Sequence, residues 1–240
     1  MRWLELERAE EQELIDQGGH APELLAENLA DMRRINRWLG GVQLSVRALA
    51  RLDRTGPPGA ELAVLDVATG IGDIPRTLAA WAARQGRAVR IVATDISPAI
   101  LRVAAAPPAP VLAAADALAL PFPDHSFDVA LCSFALHHLP PDAAVRMLAE
   151  MGRVARRGVV VNDLVRWRPY YLAGWLLCRL VSRNPLTRHD GPLSARRAYT
   201  RAEMLDLARR AGLVPLGFDS FLGYRVALTL RPGTGDGFVV

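Results

Sequence analysis

The chain has 240 residues, a net charge of +4, 51% hydrophobic residues and a mean hydropathy of +0.13. This length holds one full α/β domain or two small ones. No apolar run approaches the roughly 20 residues that cross a bilayer. Acidic residues lie where a signal peptide would have an apolar core, which argues against export, so we predict a cytoplasmic protein.

Charge and cysteine content exclude two further classes. Every basic side chain apart from histidine is an arginine, and the arginines are dispersed instead of forming a basic stripe with aromatic residues. We therefore predict no nucleic-acid partner. Cys132 and Cys178 lack metal-ligand spacing, and we predict no metal site.

Residues 1–56 predict a helical cap without strands. Apolar residues recur every three or four positions on the first long helix: Leu25, Leu29, Met32, Ile35 and Leu39. Gly40 and Gly41 predict its end. The polar residues of 34–38 either contact a ligand or form a solvated face beside a core tryptophan, Trp38, and the solvated face is favoured. A linker at 55–59 then separates the cap from a domain covering 57–240.

Buried strands alternate with helices along the next hundred residues. Apolar runs predict strands from Leu62, at Val89–Ile96, at Val111–Ala115, at Phe127–Phe134 and at Gly158–Val161. Prolines or caps open the intervening helices, at Pro75, Pro98 and Pro141. This alternation predicts right-handed crossovers and a parallel sheet.

The C-terminal part predicts an antiparallel addition. Thr200 and Glu203 form a capping box for a helix to Ala211. Two strand-like runs, 214–220 and 224–230, are separated by three residues, which is too short for a parallel crossover. We therefore expect a doubly wound, mostly parallel seven-stranded α/β sheet with an antiparallel C-terminal strand.

Residues 164–198 form an insertion that the sheet does not need. Its central stretch, 169–181, is apolar nearly all round and is flanked by arginines. It is a lid over an apolar substrate, an interfacial membrane helix with peripheral contact through 169–182, or a core helix.

The turn after the first strand carries the strongest functional signal. Small residues fill the segment from Ala68 to Gly72, and Pro75 follows in the first turn of a helix. A strand, a glycine turn and a helix N-terminus together bring bare backbone close to a ligand. A nicotinamide dehydrogenase is disfavoured because its G-x-G-x-x-G fingerprint would need glycine at Pro75.

The pattern Asp66-x-Ala68-x-Gly70-x-Gly72-Asp73 resembles the S-adenosylmethionine loop of class I (Rossmann-like) methyltransferases. Its details resemble the ubiquinone and menaquinone C-methyltransferases. Asp95, Asp116 and the segment 120–128 continue the same pattern. The resemblance covers about 60–163 and the C-terminal hairpin. The Gly40–Gly41 pair and the insertion resemble methyltransferases encoded beside bacterial polyketide synthases, which implies secondary metabolism.

The resemblance implies a set of donor-binding residues. The glycines allow backbone N–H groups to approach the methionine tail, and Asp66 supplies negative charge. Asp95 accepts hydrogen bonds from the ribose hydroxyls, and Asp116 accepts one from the adenine amino group. The full set is Asp66, Ala68, Thr69, Gly70, Gly72, Asp95, Ile96, Asp116, Ala117, Ser133 and Phe134. Alternatives remain for Asp116 as a helix cap and for Ser133 as core packing.

The acceptor side is less defined. His137 and His138 follow strand four and are candidates for a general base, or they only shape the pocket. Candidate substrate-binding residues are Arg168, Tyr170, Tyr171, His189 and Tyr199. We expect methyl transfer to a small apolar phenol, quinone or polyketide-like acceptor, at oxygen or carbon. The alternatives are a non-catalytic donor- or lipid-binding module and a protein or RNA methyltransferase. The oligomeric state is left open.

Overall fold

The computed structural model describes residues 6–54, 59–105 and 110–233. The predicted linker lies outside these ranges except for Gly59. Helices cover α1 Leu14–Gln17, α2 Pro22–Trp38, α3 Gly41–Asp53, α4 Asp73–Arg84, α5 Pro98–Ala104, α6 Pro141–Val154, α7 Arg168–Val181, α8 Pro185–Arg197 and α9 Arg201–Arg210. Strands cover β1 Leu62–Val67, β2 Val89–Asp95, β3 Val111–Ala114, β4 Phe127–Ser133, β5 Ala155–Leu164, β6 Leu213–Phe221 and β7 Arg225–Pro232.

The strands form one seven-stranded sheet in the order β3-β2-β1-β4-β5-β7-β6. The first five strands are parallel, and β7 is antiparallel to both β5 and β6. The predicted fold class and the predicted hairpin are confirmed. From β1 the chain adds β2 and β3 on one side, and it then crosses to add β4 and β5 on the other. Doubly wound sheets bind their ligands at this switch point, between β1 and β4.

Helices cover both faces of the sheet, which explains why its central strands are apolar throughout. All six residues of β1 are buried. On one face, α6 and α9 pack against the sheet through side chains such as Met147, Leu148 and Met204. On the other face, α3 and α4 do the same through Leu49 and Leu78. Burial on both faces leaves no polar side to a central strand.

The two edges of the sheet differ from its centre. At one edge, β3 has only four residues. At the other, β6 contains Pro215 and shifts its register against β7 between Pro215 and Gly217. Proline cannot donate to a strand ladder and is confined to edge strands and bulges.

The N-terminal helices divide between two environments. Residues of α3 belong to the core cluster shared with β1, β4 and β5, whereas the core clusters of the described ranges contain no residue of α1 or α2. Instead, α2 packs on α8 through a buried polar cluster. Asp31 of α2 accepts from Ser182, and from Thr187 at 3.1 Å. The predicted cap and the insertion therefore contact each other directly.

The insertion contains two helices, of which the sequence indicated one. α7 has the predicted position, and its single buried residue is Cys178. Leu172, Leu176 and Leu180 are more than half exposed, which does not support the core-helix alternative. α8 is polar and contains Pro192, so it lacks an apolar stripe that a sequence pattern would reveal. No helix in the described ranges is long and apolar enough to cross a bilayer.

The Gly40–Gly41 pair ends α2 and begins α3 at a point of close packing. Gly40 has φ +70°, in the left-handed region that favours glycine. At Gly41 an added Cβ would lie 2.0 Å from Nη1 of Arg225 and 3.0 Å from the ring of Phe134. The absence of a side chain at Gly41 therefore allows the N-terminal helices to close over the sheet.

We expect Gly41→Ala to lower the free energy of unfolding by about 1–3 kcal/mol, the cost of forcing an extra methyl into a packed interior. Urea denaturation would measure the change. Gly174→Ala is the matched control, since it also lies in a helix and its added Cβ would meet nothing within 4 Å. Equal unfolding free energies for Gly41→Ala and the parent chain would contradict the described packing.

Candidate functional site

The predicted glycine loop joins the end of β1 to the start of α4. Ala68, Gly70 and Gly72 all have φ between +55° and +71°. This backbone aims the first turn of α4 at the carboxyl edge of the sheet. A Cβ added at Gly70 would meet nothing within 4 Å, so space lies open above the loop. The loop therefore presents accessible backbone, as an anionic or polar ligand group requires.

Asp95 ties three strand ends together beside this loop. Its carboxylate accepts from the backbone N–H of Gly70 at 3.0 Å and of Ser97 at 2.9 Å. Its carbonyl accepts from the N–H of Ala115, after β3. Each carboxylate oxygen carries two lone pairs, so each can accept a second hydrogen bond from a ligand hydroxyl.

Asp66 lies at the base of the loop and holds it from below. Thr69 donates its hydroxyl to the Asp66 carboxyl at 2.6 Å. Burial raises the pKa of Asp66 from 3.8 to about 7, against the opposing hydrogen bond from Thr69. The negative charge predicted for Asp66 is therefore only partly present at neutral pH.

The predicted adenine side is exposed. Asp116 is exposed and accepts from the N–H of Leu118 at 2.8 Å, as a capping residue does. Ala117 is half-buried beside it. Ile96 is 71% exposed directly after Asp95. An exposed isoleucine beside open polar groups offers an apolar surface for a flat ring.

The residues after β4 are fixed by their neighbours. Ser133 lies 3.2 Å, oxygen to oxygen, from Ser45 of α3. Phe134 has φ +57°, and its N–H donates to the carbonyl of Asn162 at 2.8 Å. These contacts join β4, β5 and α3 at the carboxyl edge of the sheet.

Arg225, at the start of β7, is a buried cation that the sequence did not reveal. Its guanidinium carbon lies 4.0 Å from the ring centroid of Phe134, and Nη2 donates to Asn36 at 3.1 Å. Nε and Nη1 are buried without an acceptor. Burial lowers the pKa of Arg225 to about 10, only partly offset by Tyr224, Asp163 and Asp73.

His137 is enclosed by carboxylates on both sides of its ring. Nδ1 lies 2.7 Å from Asp163 Oδ1, and Nε2 lies 3.5 Å from Glu13 Oε1. Burial alone would lower the pKa of His137, but the two carboxylates outweigh it and raise the pKa to about 10. His137 therefore has no ring nitrogen facing open solvent.

His138 is a quarter exposed and is also paired. Its Nδ1 lies 2.7 Å from Asp16 Oδ2, and its Nε2 lies 3.7 Å from Glu13 Oε2. Burial opposes ionisation of Glu13, but the two histidines hold the pKa of that carboxyl at about 2. The N-terminal segment around α1 therefore fills the space between the histidines and the insertion.

The predicted substrate residues are not brought together. Tyr171 and His189 line one cavity of about 470 Å³, together with Trp175 and Arg188. Tyr170 instead donates to the carbonyl of Leu222 in the β6–β7 turn. Tyr199 is buried and donates to the carbonyl of Leu139 at 2.6 Å. Arg168 is exposed at the start of α7.

A second cavity, of about 680 Å³, lies between α2, α3 and α4. It borders Asp73, directly after Gly72, and its lining is rich in arginine: Arg33, Arg37, Arg47, Arg76 and Arg84. Arg76 donates to the carbonyls of Ile71 and Ala104 and so braces the glycine loop. Asn36, in the segment 34–38, hydrogen-bonds to Asp73 on this side of the loop. Trp38 is 60% exposed and is therefore not the core residue that the sequence predicted.

Several site residues escaped sequence reasoning. Asp163 follows an apolar strand and was open to recognition, because open α/β sheets place ligands at strand ends. The sequence did not mark Glu13 or Asp16 as site residues, because the acidic residues near the N-terminus served only as an argument against export. Arg225 begins β7. The sequence pattern predicted the antiparallel pairing of that strand but not the burial of the Arg225 side chain.

The amino-acid sequence is similar to those of known methyltransferases. A methyltransferase domain family matches residues 64–158. The ubiquinone/menaquinone biosynthesis C-methyltransferase UbiE of Cupriavidus taiwanensis is 30% identical over 186 residues, which are 69% of this chain and 72% of that protein. The demethylmenaquinone methyltransferase of Roseiflexus castenholzii is 34% identical over 163 residues, 62% of this chain and 66% of the relative.

A solved structure shows the same fold at low sequence identity. Human N-acetylserotonin methyltransferase, crystallised in complex with SAM, superposes with a TM-score of 0.60 at 18% identity. The match covers 86% of this chain and 55% of the human chain.

The raised pKa of Asp66 predicts a pH-dependent stability difference. Between pH 4 and pH 7 the folded chain keeps the Asp66 proton and the unfolded chain has lost it, so this group's contribution to stability falls as pH rises. We expect Asp66→Asn to gain relative to the parent across that window, by at most about 4 kcal/mol at about 1.4 kcal/mol per pKa unit. Urea denaturation at several pH values measures this. The same measurement on exposed Asp206→Asn is the control, and a flat Asp66→Asn difference would contradict the assignment.

Proposed function

This chain belongs to the class I S-adenosylmethionine-dependent methyltransferases, and we propose that it methylates a small apolar acceptor of the phenol, quinone or polyketide type. The observation that carries the proposal is the 30% identity to a quinone C-methyltransferase across 69% of the chain, beyond the generic domain. S-adenosylmethionine is the methyl donor. The proposal includes methylation at oxygen or carbon and a role in bacterial secondary metabolism.

The residues at the carboxyl edge fit this donor. Gly70 leaves open space above the loop for the methionine tail. Asp95 has a lone pair remaining on each oxygen for the ribose hydroxyls. Ile96 offers an exposed apolar surface for adenine, next to Asp116 and Ala117. Ser133 and Phe134 lie at the end of β4, where they would form the floor of the site.

The donor supplies a methyl group already activated by its sulfonium, so the protein mainly has to align the reactants. Alignment contributes on the order of 7–11 kcal/mol to such reactions. Both ring nitrogens of His137 and of His138 face carboxylates. We therefore propose that the pair positions the turn after β4 instead of taking a proton from the acceptor.

The cavity between α7 and α8 supports a small, aromatic-compatible acceptor. Its volume of about 470 Å³ falls in the range of small-molecule sites. Tyr171 and Trp175 supply aromatic surface, and Arg188 supplies positive charge for an oxygen or anionic substituent. Both ring nitrogens of His189 already face carboxylates, so His189 contributes to the lining only. We assign these residues, among the predicted substrate set, to the acceptor side.

We expect label from radioactive S-adenosylmethionine to enter the organic extract when the chain is incubated with a panel of phenols and quinones. Asp95→Ala should weaken donor binding by about 1–3 kcal/mol, the cost of unmet hydrogen bonds, as measured by calorimetry with S-adenosylhomocysteine. Exposed Asp206→Ala is the control and should bind the donor as the parent does.

Other outcomes distinguish the alternatives. Label found only in protein or RNA would replace the small-molecule proposal with a macromolecular methyltransferase. Donor binding without methyl consumption against any acceptor or extract would favour a binding module. Unchanged donor affinity in Asp95→Ala would mean that the ribose lies elsewhere.

We also propose that α7 contacts a lipid surface, where an apolar acceptor would be dissolved. Leu172, Leu176 and Leu180 form one stripe of α7 and are exposed at 56%, 51% and 75%. Residues 165–189 contain no acidic residue, and four of their five arginines are exposed, whereas Arg166 is paired with Glu203. An apolar helix face with a basic surround matches an anionic bilayer surface.

We expect the chain to sediment with vesicles containing phosphatidylglycerol and less with phosphatidylcholine alone. Replacing Leu172, Leu176 and Leu180 by serine should lower partitioning at least tenfold, because each buried leucine contributes about 1.5–3 kcal/mol. Val111→Ser is the matched control, since Val111 is 64% exposed at the far edge of the sheet. Equal sedimentation of the triple variant and the parent would contradict the proposed lipid contact of α7.

A further inference from the structure

Three side chains converge at the edge of the described site without hydrogen-bonding to one another at normal length. One carboxylate oxygen of Glu13 and one nitrogen each of His137 and His138 lie within 4.8 Å of one another. Glu13 and His137 are buried, while His138 is partly exposed. The cluster joins the N-terminal segment to the 3₁₀ turn Leu136–His138.

The far side of each imidazole is held by a separate carboxylate. Nδ1 of His137 lies 2.7 Å from Asp163, and Nδ1 of His138 lies 2.7 Å from Asp16. A metal ion would replace the proton that Nε2 of His137 carries in the metal-free chain, while the Nδ1–H goes on donating to its carboxylate. In both rings Nε2 faces Glu13. Metal-binding histidines almost always have such a carboxylate or carbonyl partner behind them.

The spacing between these atoms also suits a metal ion. The two Nε2 atoms lie 3.5 and 3.7 Å from the oxygens of Glu13, beyond the normal length of a direct hydrogen bond. Metal bonds of about 2.0–2.1 Å in a tetrahedral site place neighbouring ligand atoms about 3.4 Å apart. The spacing from each Nε2 to its nearer Glu13 oxygen is close to this value, and the three ligand atoms lie within 4.8 Å of one another.

Surrounding contacts fix the cluster in place. Arg8 donates to the carbonyl of His137 at 3.0 Å, and Arg197 donates to the carbonyl of His138 at 2.6 Å. Ser194 donates to Glu13 at 2.8 Å. Both arginines donate to carbonyl groups and not to the carboxylates around the histidines.

We propose that Glu13, His137 and His138 bind a divalent transition-metal ion of the zinc class. Two imidazoles and one carboxylate are ligands that such ions share, and three protein ligands leave at least one coordination position open. The partly exposed side of His138 gives the ion a route in. The ion would join the N-terminal segment to the turn after β4, and this inference does not depend on which acceptor is methylated.

The test uses full-length, tag-free protein stripped with a chelator. We expect one zinc ion per chain by calorimetry, a higher Tm with zinc, and a visible d–d absorption band with cobalt. Asp16→Asn should weaken metal affinity by about 10- to 100-fold, as changes behind a histidine ligand do. Glu13→Gln and His138→Ala should weaken it further and change the cobalt band.

His125→Ala is the matched control, because His125 is exposed in a loop away from the cluster; it should bind zinc as the parent does. If buried Glu13→Gln fails to fold, Asp16→Asn and His138→Ala alter more exposed side chains and decide the question. Absence of zinc binding by the parent would overturn the proposal, as would unchanged affinity and cobalt spectrum in both of these variants.

Discussion

The pairing of the His137 imidazole with two carboxylates connects parts of the chain that are far apart in sequence. Asp163 ends β5, His137 follows β4, and Glu13 belongs to the N-terminal segment. Buried charges of this kind are costly unless each is matched, and removing one partner costs more than the pair contributes. The same three residues therefore join the N-terminal segment to the carboxyl edge of the sheet.

A second buried cation has the opposite character. Arg225 lies on the ring of Phe134 and against Gly41, with two nitrogens lacking an acceptor. Its position explains why α3 begins with Gly41, whereas Gly40 is limited by its positive φ and by Phe221. The same side chain thus contacts Phe134, which we propose as part of the floor of the donor site, and the start of α3.

The parallel strands and the glycine loop could be predicted because their signal is local: a doubly buried strand is apolar at every position, as β1 is. The helix α8 could not, because its polar surface faces other polar side chains, such as Asp31 of α2, and leaves no periodic stripe. Asp95 was recognised by its place at a strand end. Glu13 was not, because only tertiary packing brings residues near the N-terminus to the turn after β4. The periodicity of apolar residues carries no information about which charged side chains pair across long distances in the sequence.

The two edges of the sheet have a consequence for how copies of this chain can associate. A long, flat edge strand invites another chain to add its own strand and propagate the ladder. Here β3 offers only four residues, and β6 interrupts its outer row with Pro215 and a shift of register. Both ends of the sheet are therefore poor templates for strand addition, which protects an otherwise apolar molecule from edge-to-edge aggregation.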